Sequence, residues 1–109
     1  MSNAYVLEMK RGATFSAGIL YADSGVDVDL TGYTITSQVR QFGTLIQTMT
    51  VVISNQTTNT GEFTVSATAT QTADWPVGTL AWDIRLADGA TIVYSKTFQI
   101  LVDERVTIP

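Results

Sequence analysis

Apolar and polar residues alternate with a period of two along most of the chain. The clearest run spans residues 79–87, where Leu80, Trp82, Ile84 and Leu86 are separated by small or polar side chains. Successive side chains of a β-strand point to opposite faces, so this alternation predicts a strand with one face in the core. No stretch keeps apolar residues at helical spacing over three turns, and β-branched residues, which fit a pleated sheet, are abundant. The pattern indicates an all-β protein.

The alternating segments are separated by short groups of turn-forming residues. Turns are predicted at Asp23-Ser24-Gly25, Phe42-Gly43 and Asp88-Gly89, and a single helical turn at 70–74. The predicted extended segments are 5–9, 14–22, 26–30, 33–41, 44–54, 61–68, 79–87 and 90–102. Seven or eight short strands with such regular punctuation are typical of a sandwich or barrel. We predict one domain over 1–109, with a core at about 5–102 and an extended, partly loose tail at 103–109.

Composition narrows the chemistry that this domain could perform. The chain has 109 residues, 45% of them hydrophobic, and contains neither cysteine nor histidine. Most acid–base catalysis and most transition-metal sites depend on histidine, and thiolate sites depend on cysteine. We therefore predict that the protein is not an enzyme and has no catalytic, cofactor-binding or metal-binding residues.

Charge argues against nucleic acid and membrane as partners. The formal net charge is −4, and the six basic residues are scattered along the chain. Binding to phosphate backbones or anionic lipid requires concentrated positive charge. No apolar run is long enough to span a bilayer, and residues 1–4 have no feature of a secretory leader. We expect the protein to be made and folded in a cytoplasm.

Acidic residues allow two further hypotheses. Asp23, Asp27 and Asp29 lie close together and supply the oxygen ligands that calcium prefers, although turn formation alone explains them. Asp83 and Asp88, with Glu62 or Asp74, are candidates for the carboxylate pair of a small hydrolase that acts on glycosidic bonds. Their spacing does not require this role, and the alternation around Asp83 favours a solvent-exposed carboxylate.

The segment 45–53 is apolar on parts of both faces. Such a strand either lies in the centre of the fold or faces a partner. Trp75, which precedes a proline in a loop, either caps the sandwich or meets a partner. The candidate interface residues are Leu45, Ile46, Met49, Val52 and Trp75. Because aromatic rings stack on sugars, Trp75 and the loop acids also support an alternative function as a carbohydrate-binding module.

Several short motifs occur in an order that resembles a known group of proteins. They are Lys10-Arg11-Gly12-Ala13-Thr14-Phe15, Asp29-Leu30-Thr31-Gly32-Tyr33, Val39-Arg40, Thr72-Ala73-Asp74-Trp75-Pro76-Val77-Gly78, Leu80-Ala81-Trp82-Asp83-Ile84, Phe98-Gln99-Ile100-Leu101-Val102-Asp103 and Val106-Thr107. This set, which covers residues 10–107, resembles small phage and prophage structural proteins with an immunoglobulin-like domain, including the N-terminal domain of baseplate upper proteins. Ala13 departs from that pattern, which has an acidic residue there, and Trp82 is a second departure.

The resemblance implies a fold and a role. The fold is an immunoglobulin-like antiparallel β-sandwich of seven to eight strands. The role is that of a non-catalytic tail, baseplate or head–tail accessory protein, which acts through protein–protein contacts. Its partners are expected to be other phage structural proteins, with a homo-oligomer as an alternative. The protein is then a virion component produced in the bacterial host cytoplasm.

Overall fold

The computed structural model describes residues 6–107, and 58% of them lie in strands. The strands are β1 (Val6–Lys10), β2 (Phe15–Leu20), β3 (Ala22–Asp23), β4 (Val26–Asp27), β5 (Thr34–Gln41), β6 (Thr44–Thr48), β7 (Thr50–Ile53), β8 (Glu62–Ala67), β9 (Gly78–Asp88), β10 (Thr91–Tyr94) and β11 (Phe98–Asp103). One helical turn, α1 (Ala69–Thr72), lies between β8 and β9. The prediction of an all-β domain is confirmed.

The strands form two main sheets and one small hairpin. The larger sheet has the order β1-β11-β9-β5-β6, with β10 also paired to β9. The smaller sheet has the order β2-β8-β7, and β3 pairs with β4. All these pairings are antiparallel except that of β1 with β11, which is parallel. The prediction of a purely antiparallel sandwich of seven or eight strands is therefore corrected to eleven strands within residues 6–107, two of which, β1 and β11, form a parallel pair.

Both sheets contribute side chains to one core, as in a β-sandwich. In β9 every second residue, from Leu80 to Leu86, is buried, as the alternation predicts. Trp82 of the larger sheet meets Phe15 of the smaller one edge to face, with ring centroids 5.5 Å apart. Contacts between the inner faces, which are mostly apolar, therefore hold the two sheets together. Each Å² of apolar surface that is buried in this way stabilises the fold by about 25 cal/mol.

The predicted strand 44–54 is divided at Met49. Residues before it pair with β5 in the larger sheet, and residues after it pair with β8 in the smaller sheet. The Met49 amide donates a hydrogen bond to the Ser37 carbonyl (2.8 Å), and its side chain is buried. The change of sheet explains why this segment has apolar residues on both faces. Its two halves, β6 and β7, turn opposite faces to the core.

Helix α1 begins with a reciprocal cap. Thr68 Oγ1 accepts from the Gln71 amide (3.2 Å), and Gln71 Oε1 accepts from the Thr68 amide (2.9 Å). This capping box satisfies two backbone donors that a single helical turn leaves unpaired. The buried Thr72 hydroxyl donates to the Ala13 carbonyl (2.7 Å), which ties the turn to the start of β2. The predicted helical turn at 70–74 is present, one residue earlier.

Residues after β11 are held against the turn that follows β1. Arg11 pairs with Glu104 (2.8 Å) and donates to the Ala73 carbonyl (3.1 Å). Arg105 donates to the Arg11 carbonyl (3.2 Å). Residues 103–105 of the tail, which was predicted to be extended and partly loose, are held against the domain, since Asp103 ends β11 and Arg11 pairs with Glu104. The predicted boundary at Tyr5 and the last two residues of the predicted tail lie outside the described residues.

Candidate interaction surface

Two of the five candidate interface residues are in the core. Trp75 is 1% exposed, lies 6.3 Å from the Phe15 ring, and donates weakly from its indole nitrogen to Gln47 Oε1 (3.5 Å). Met49 is 5% exposed at the change of sheets. Neither side chain presents a surface to a partner. Of the two roles considered for Trp75, the structure favours capping of the sandwich.

The other three candidate residues do not form one surface. Val52 is exposed on the outer face of the smaller sheet, opposite Thr64. Leu45 is exposed beside Arg40 at the edge of the larger sheet, where the pairing of β5 with β6 is irregular. Ile46 is partly buried against the core. The register therefore places Leu45 and Val52 on different sheets, and the predicted interface is not one continuous patch.

The most exposed large apolar side chain among residues 6–107 is one that the sequence reasoning missed. Phe42 is 97% exposed at the tip of the turn between β5 and β6. Its φ is +52°, and the next residue, Gly43, has a φ of +81°. Positive φ at both central residues is the requirement of a two-residue type I′ hairpin turn, in which asparagine followed by glycine is the favoured pair.

Phe42 is unfavourable at this position in two respects. A left-handed conformation costs an L-residue other than glycine roughly 1–2 kcal/mol, and a bulky side chain there is a rare outlier. Its ring also loses almost no water contact on folding, so burial does not offset that cost. Strained and exposed residues of this kind are found at functional sites more often than elsewhere. The Phe-Gly dipeptide between two alternating segments is the sequence signal that could have drawn attention to it.

Side chains beside the turn hold its shape. Arg40 donates from Nη1 to the Gly43 carbonyl (3.0 Å) and from Nη2 to Gln38 Oε1 (2.8 Å). These charge-assisted bonds connect the tip to the body of β5. Val77, also exposed, lies at the same end of the sandwich, just before Gly78 begins β9. The Phe42 tip therefore projects from a hairpin whose turn is hydrogen-bonded to the Arg40 side chain.

A shallow groove of about 330 Å³ crosses the outer face of the larger sheet. It is lined by Gln38, Arg40, Asp83, Tyr94 and their neighbours. Asp74 lines a different depression, together with Gly12 and Arg105. Glu62 lines a third depression, so of the four carboxylates that the hydrolase hypothesis considers, Asp83, Asp74 and Glu62 lie in separate depressions.

Among the acidic residues near β3 and β4, Asp29 stabilises a local turn. Asp29 Oδ1 accepts hydrogen bonds from the Thr31 amide (2.9 Å) and the Thr31 hydroxyl (2.7 Å). These bonds stabilise the charged carboxylate and lower the pKa of Asp29 below the ordinary aspartate value. Within residues 6–107, no three carboxylates come together in an arrangement that could hold a metal ion.

The two hydrogen bonds to Asp29 predict a pH-dependent contribution to stability. A carboxyl with a lowered pKa in the folded state stabilises the protein above its unfolded pKa, and this stabilisation is lost as the pH falls through the folded pKa. We expect Asp29→Ala to lower the unfolding temperature at pH 7, and the difference from wild type to shrink below about pH 4. Thermal unfolding followed by circular dichroism from pH 2 to 7 measures this.

Asp27→Ala is the matched control, since it removes an exposed acid from the same region. A difference between wild type and Asp29→Ala that stays constant across this pH range would contradict the assigned role of the carboxylate.

Comparison with known proteins assigns no family to this chain. A scan against protein-family models finds no match, and a search of curated proteins returns none. In the described part of the chain, no helix has the length and apolar character that crossing a membrane requires.

Proposed function

We propose that this chain is a non-catalytic structural or assembly protein of a phage or prophage particle, and that it acts through protein–protein contacts. The observation that carries the proposal of a contact function is Phe42, an aromatic side chain that is held in a strained turn and left exposed. The ordered motifs between Lys10 and Thr107 support the particle context. In this proposal the partners are other structural proteins of the particle, and the protein is a virion component made in the bacterial cytoplasm.

Strand order supports the immunoglobulin-like part of the proposal. If β1, β2, β5, β7, β8, β9 and β11 are lettered A to G in chain order, the smaller sheet reads B-E-D and the core of the larger sheet reads C-F-G. Immunoglobulin-type sandwiches divide their strands in the same way. Strand A differs, because it pairs with G instead of B. Domains of this kind present exposed turns at both ends of a rigid body, which suits a component that is held by contacts.

The particle assignment predicts where the protein is found in the cell. After prophage induction in the strain that carries the gene, the chain should sediment with density-purified particles and be detected there by quantitative mass spectrometry. The ratio of its amount to that of a major structural protein should be the same in independent preparations. A strain with the gene deleted and then restored on a plasmid is the control. Recovery of the chain only in the soluble fraction, with normal particles from the deletion strain, would refute the assignment.

A carbohydrate-binding function is the second candidate. Trp75, its first support, is buried, but the groove on the larger sheet contains the exposed Tyr94 ring beside polar Gln38, Arg40 and Asp83. An exposed ring beside hydrogen-bonding groups is an arrangement suited to a sugar. This function requires glycan-array binding that Tyr94→Ala abolishes. Binding that is absent, or unaffected by this change, removes the candidate.

A further inference from the structure

The exposed ring of Phe42 is suited to a partner that offers an apolar cavity. The ring projects from the β5–β6 turn and is 97% exposed, so its own domain supplies no packing for it. A single aromatic ring buries a large apolar area when it enters a pocket, and such rings are typical anchors of protein interfaces. The geometry is that of a projecting residue fitted to a concave site, not that of a flat contact face.

The same chain has a cavity of suitable character, which we call the side cleft. It has a volume of about 240 Å³ and lies between the two sheets, with apolar lining residues from both. These include Ile19, Leu20, Phe63, Leu86, Tyr94 and Phe98. Its rim is formed by β2 and β10, and within residues 6–107 each of these strands pairs with a single neighbour, β8 and β9 respectively. The cleft therefore opens between two strand edges.

Charge differs between the two ends of the sandwich. The end with Phe42 carries four basic residues, Lys10, Arg11, Arg40 and Arg105, and three acidic ones, Asp74, Asp103 and Glu104, so its formal net charge is +1. The opposite end, where β9 finishes at Asp88, carries five of the ten acidic residues, namely Asp23, Asp27, Asp29, Glu62 and Asp88. The side cleft lies toward this acidic end, since Leu20 is paired with Glu62, and its lining also includes Lys96. The large acidic excess at one end and the small basic excess at the other favour head-to-tail approach of identical copies.

We propose that the Phe42 tip of one copy inserts into the side cleft of the next copy, so that identical chains join head to tail. This contact is heterologous, since it joins two different surfaces, and it therefore builds a ring if the rotation closes or a filament if it does not. It rests on the proposed function, that of a protein acting through contacts, and names a second copy of this chain as the partner.

Phe42→Asn is the decisive variant. Asparagine removes the ring but tolerates positive φ and is favoured in this turn. The variant should therefore fold, and its unfolding temperature should be higher than that of wild type. Wild type should self-associate with rising concentration, and Phe42→Asn should do so about 10- to 100-fold more weakly, as expected for the loss of one buried aromatic ring. Sedimentation velocity over a wide concentration range measures both. Val106→Asn, an equally apolar exposed residue near the same end, is the matched control and should associate like wild type.

Mixing two variants tests the head-to-tail geometry itself. Leu20→Lys places a charge at the rim of the cleft, where the side chain is exposed, and leaves the Phe42 tip intact. At concentrations at which wild type associates, each variant alone should be monomeric. An equimolar mixture of Leu20→Lys and Phe42→Asn should form a one-to-one dimer that does not grow, because only one tip and one cleft remain.

Three outcomes would overturn the inference: a wild-type chain that stays monomeric at millimolar concentration, unchanged association in Phe42→Asn, or no dimer in the mixture. Detection of the chain in purified particles together with any of these would refute self-association alone. Absence from the particles together with head-to-tail assembly in solution would refute the particle assignment alone.

Discussion

Trp82→Ala is expected to destabilise the domain by about 3–5 kcal/mol. Trp82 lies in the central strand β9, between Val39 of β5 and Phe98 of β11, and is almost completely buried. Its ring meets Phe98 at 4.8 Å and Phe15 at 5.5 Å, so alanine would leave a cavity where the two sheets meet. A small domain is stable by only about 5–15 kcal/mol, so the loss is a large part of the total. Urea unfolding followed by circular dichroism measures it.

Trp82→Phe distinguishes the ring from its polar atom. The indole N–H of Trp82 is buried and has no hydrogen-bond partner in the described part of the chain. Phenylalanine keeps most of the aromatic area and removes this unpaired donor, so we expect a cost of only about 1–2 kcal/mol. Tyr94→Ala, an exposed aromatic on neighbouring β10, should cost less than about 1 kcal/mol. Equal losses for alanine and phenylalanine at position 82 would show that ring packing is not what Trp82 contributes.

Gly61→Ala is expected to be nearly as damaging, by about 2–5 kcal/mol. Gly61 has a φ of +83°, and a Cβ atom there would lie 2.7 Å from the Tyr21 carbonyl oxygen and 3.3 Å from that of Val28. These are backbone atoms, which cannot move aside without breaking the hydrogen bond from the Tyr21 amide to the Gly61 carbonyl (2.8 Å). The penalty therefore adds a steric clash to the conformational strain.

Gly25→Ala separates these two contributions. Gly25 has nearly the same φ, +81°, but a Cβ atom there would have no neighbour within 4 Å. It should cost only the conformational strain, about 1–2 kcal/mol. The difference between the two variants in urea unfolding then reports the clash alone. If both variants lose the same free energy of unfolding, the close approach of Tyr21 and Val28 to Gly61 does not add to the cost of Gly61→Ala.

The alternation along 45–53 could not show that the chain changes sheets at Met49. Apolar residues on both of its faces left two interpretations open, a strand in the centre of the fold or a surface that faces a partner. In the structure, Met49 carries the chain from one sheet to the other, so apolar side chains before and after it both reach the core. Leu45 and Val52, the two that remain well exposed, lie on different sheets. The role of Trp75 could not be predicted either. A loop residue caps the sandwich or contacts a partner depending on which other parts of the chain fold over it.

Phe42 shows the opposite case, in which a residue that looked ordinary is the most unusual one. Its turn was predicted from Phe42-Gly43, but neither the exposure of the ring nor the positive φ was. Hydrophobicity suggests burial for phenylalanine, and only the two-residue length of the turn forces the ring outward. The length of this turn depends on the register between β5 and β6, which is set by pairing across the sheet.

The all-β class, most strand positions, the main turns and the inward face of β9 could be predicted from the sequence, because they depend on neighbours two residues apart and on local turn chemistry. The parallel pairing of β1 with β11, the change of sheet at Met49, the burial of Trp75 and the exposure of Phe42 became evident only in the folded structure. Each of these depends on contacts between residues far apart in the chain. Such contacts are selected by how the two sheets share one core, and alternation along a single strand carries no information about which strand lies beside it.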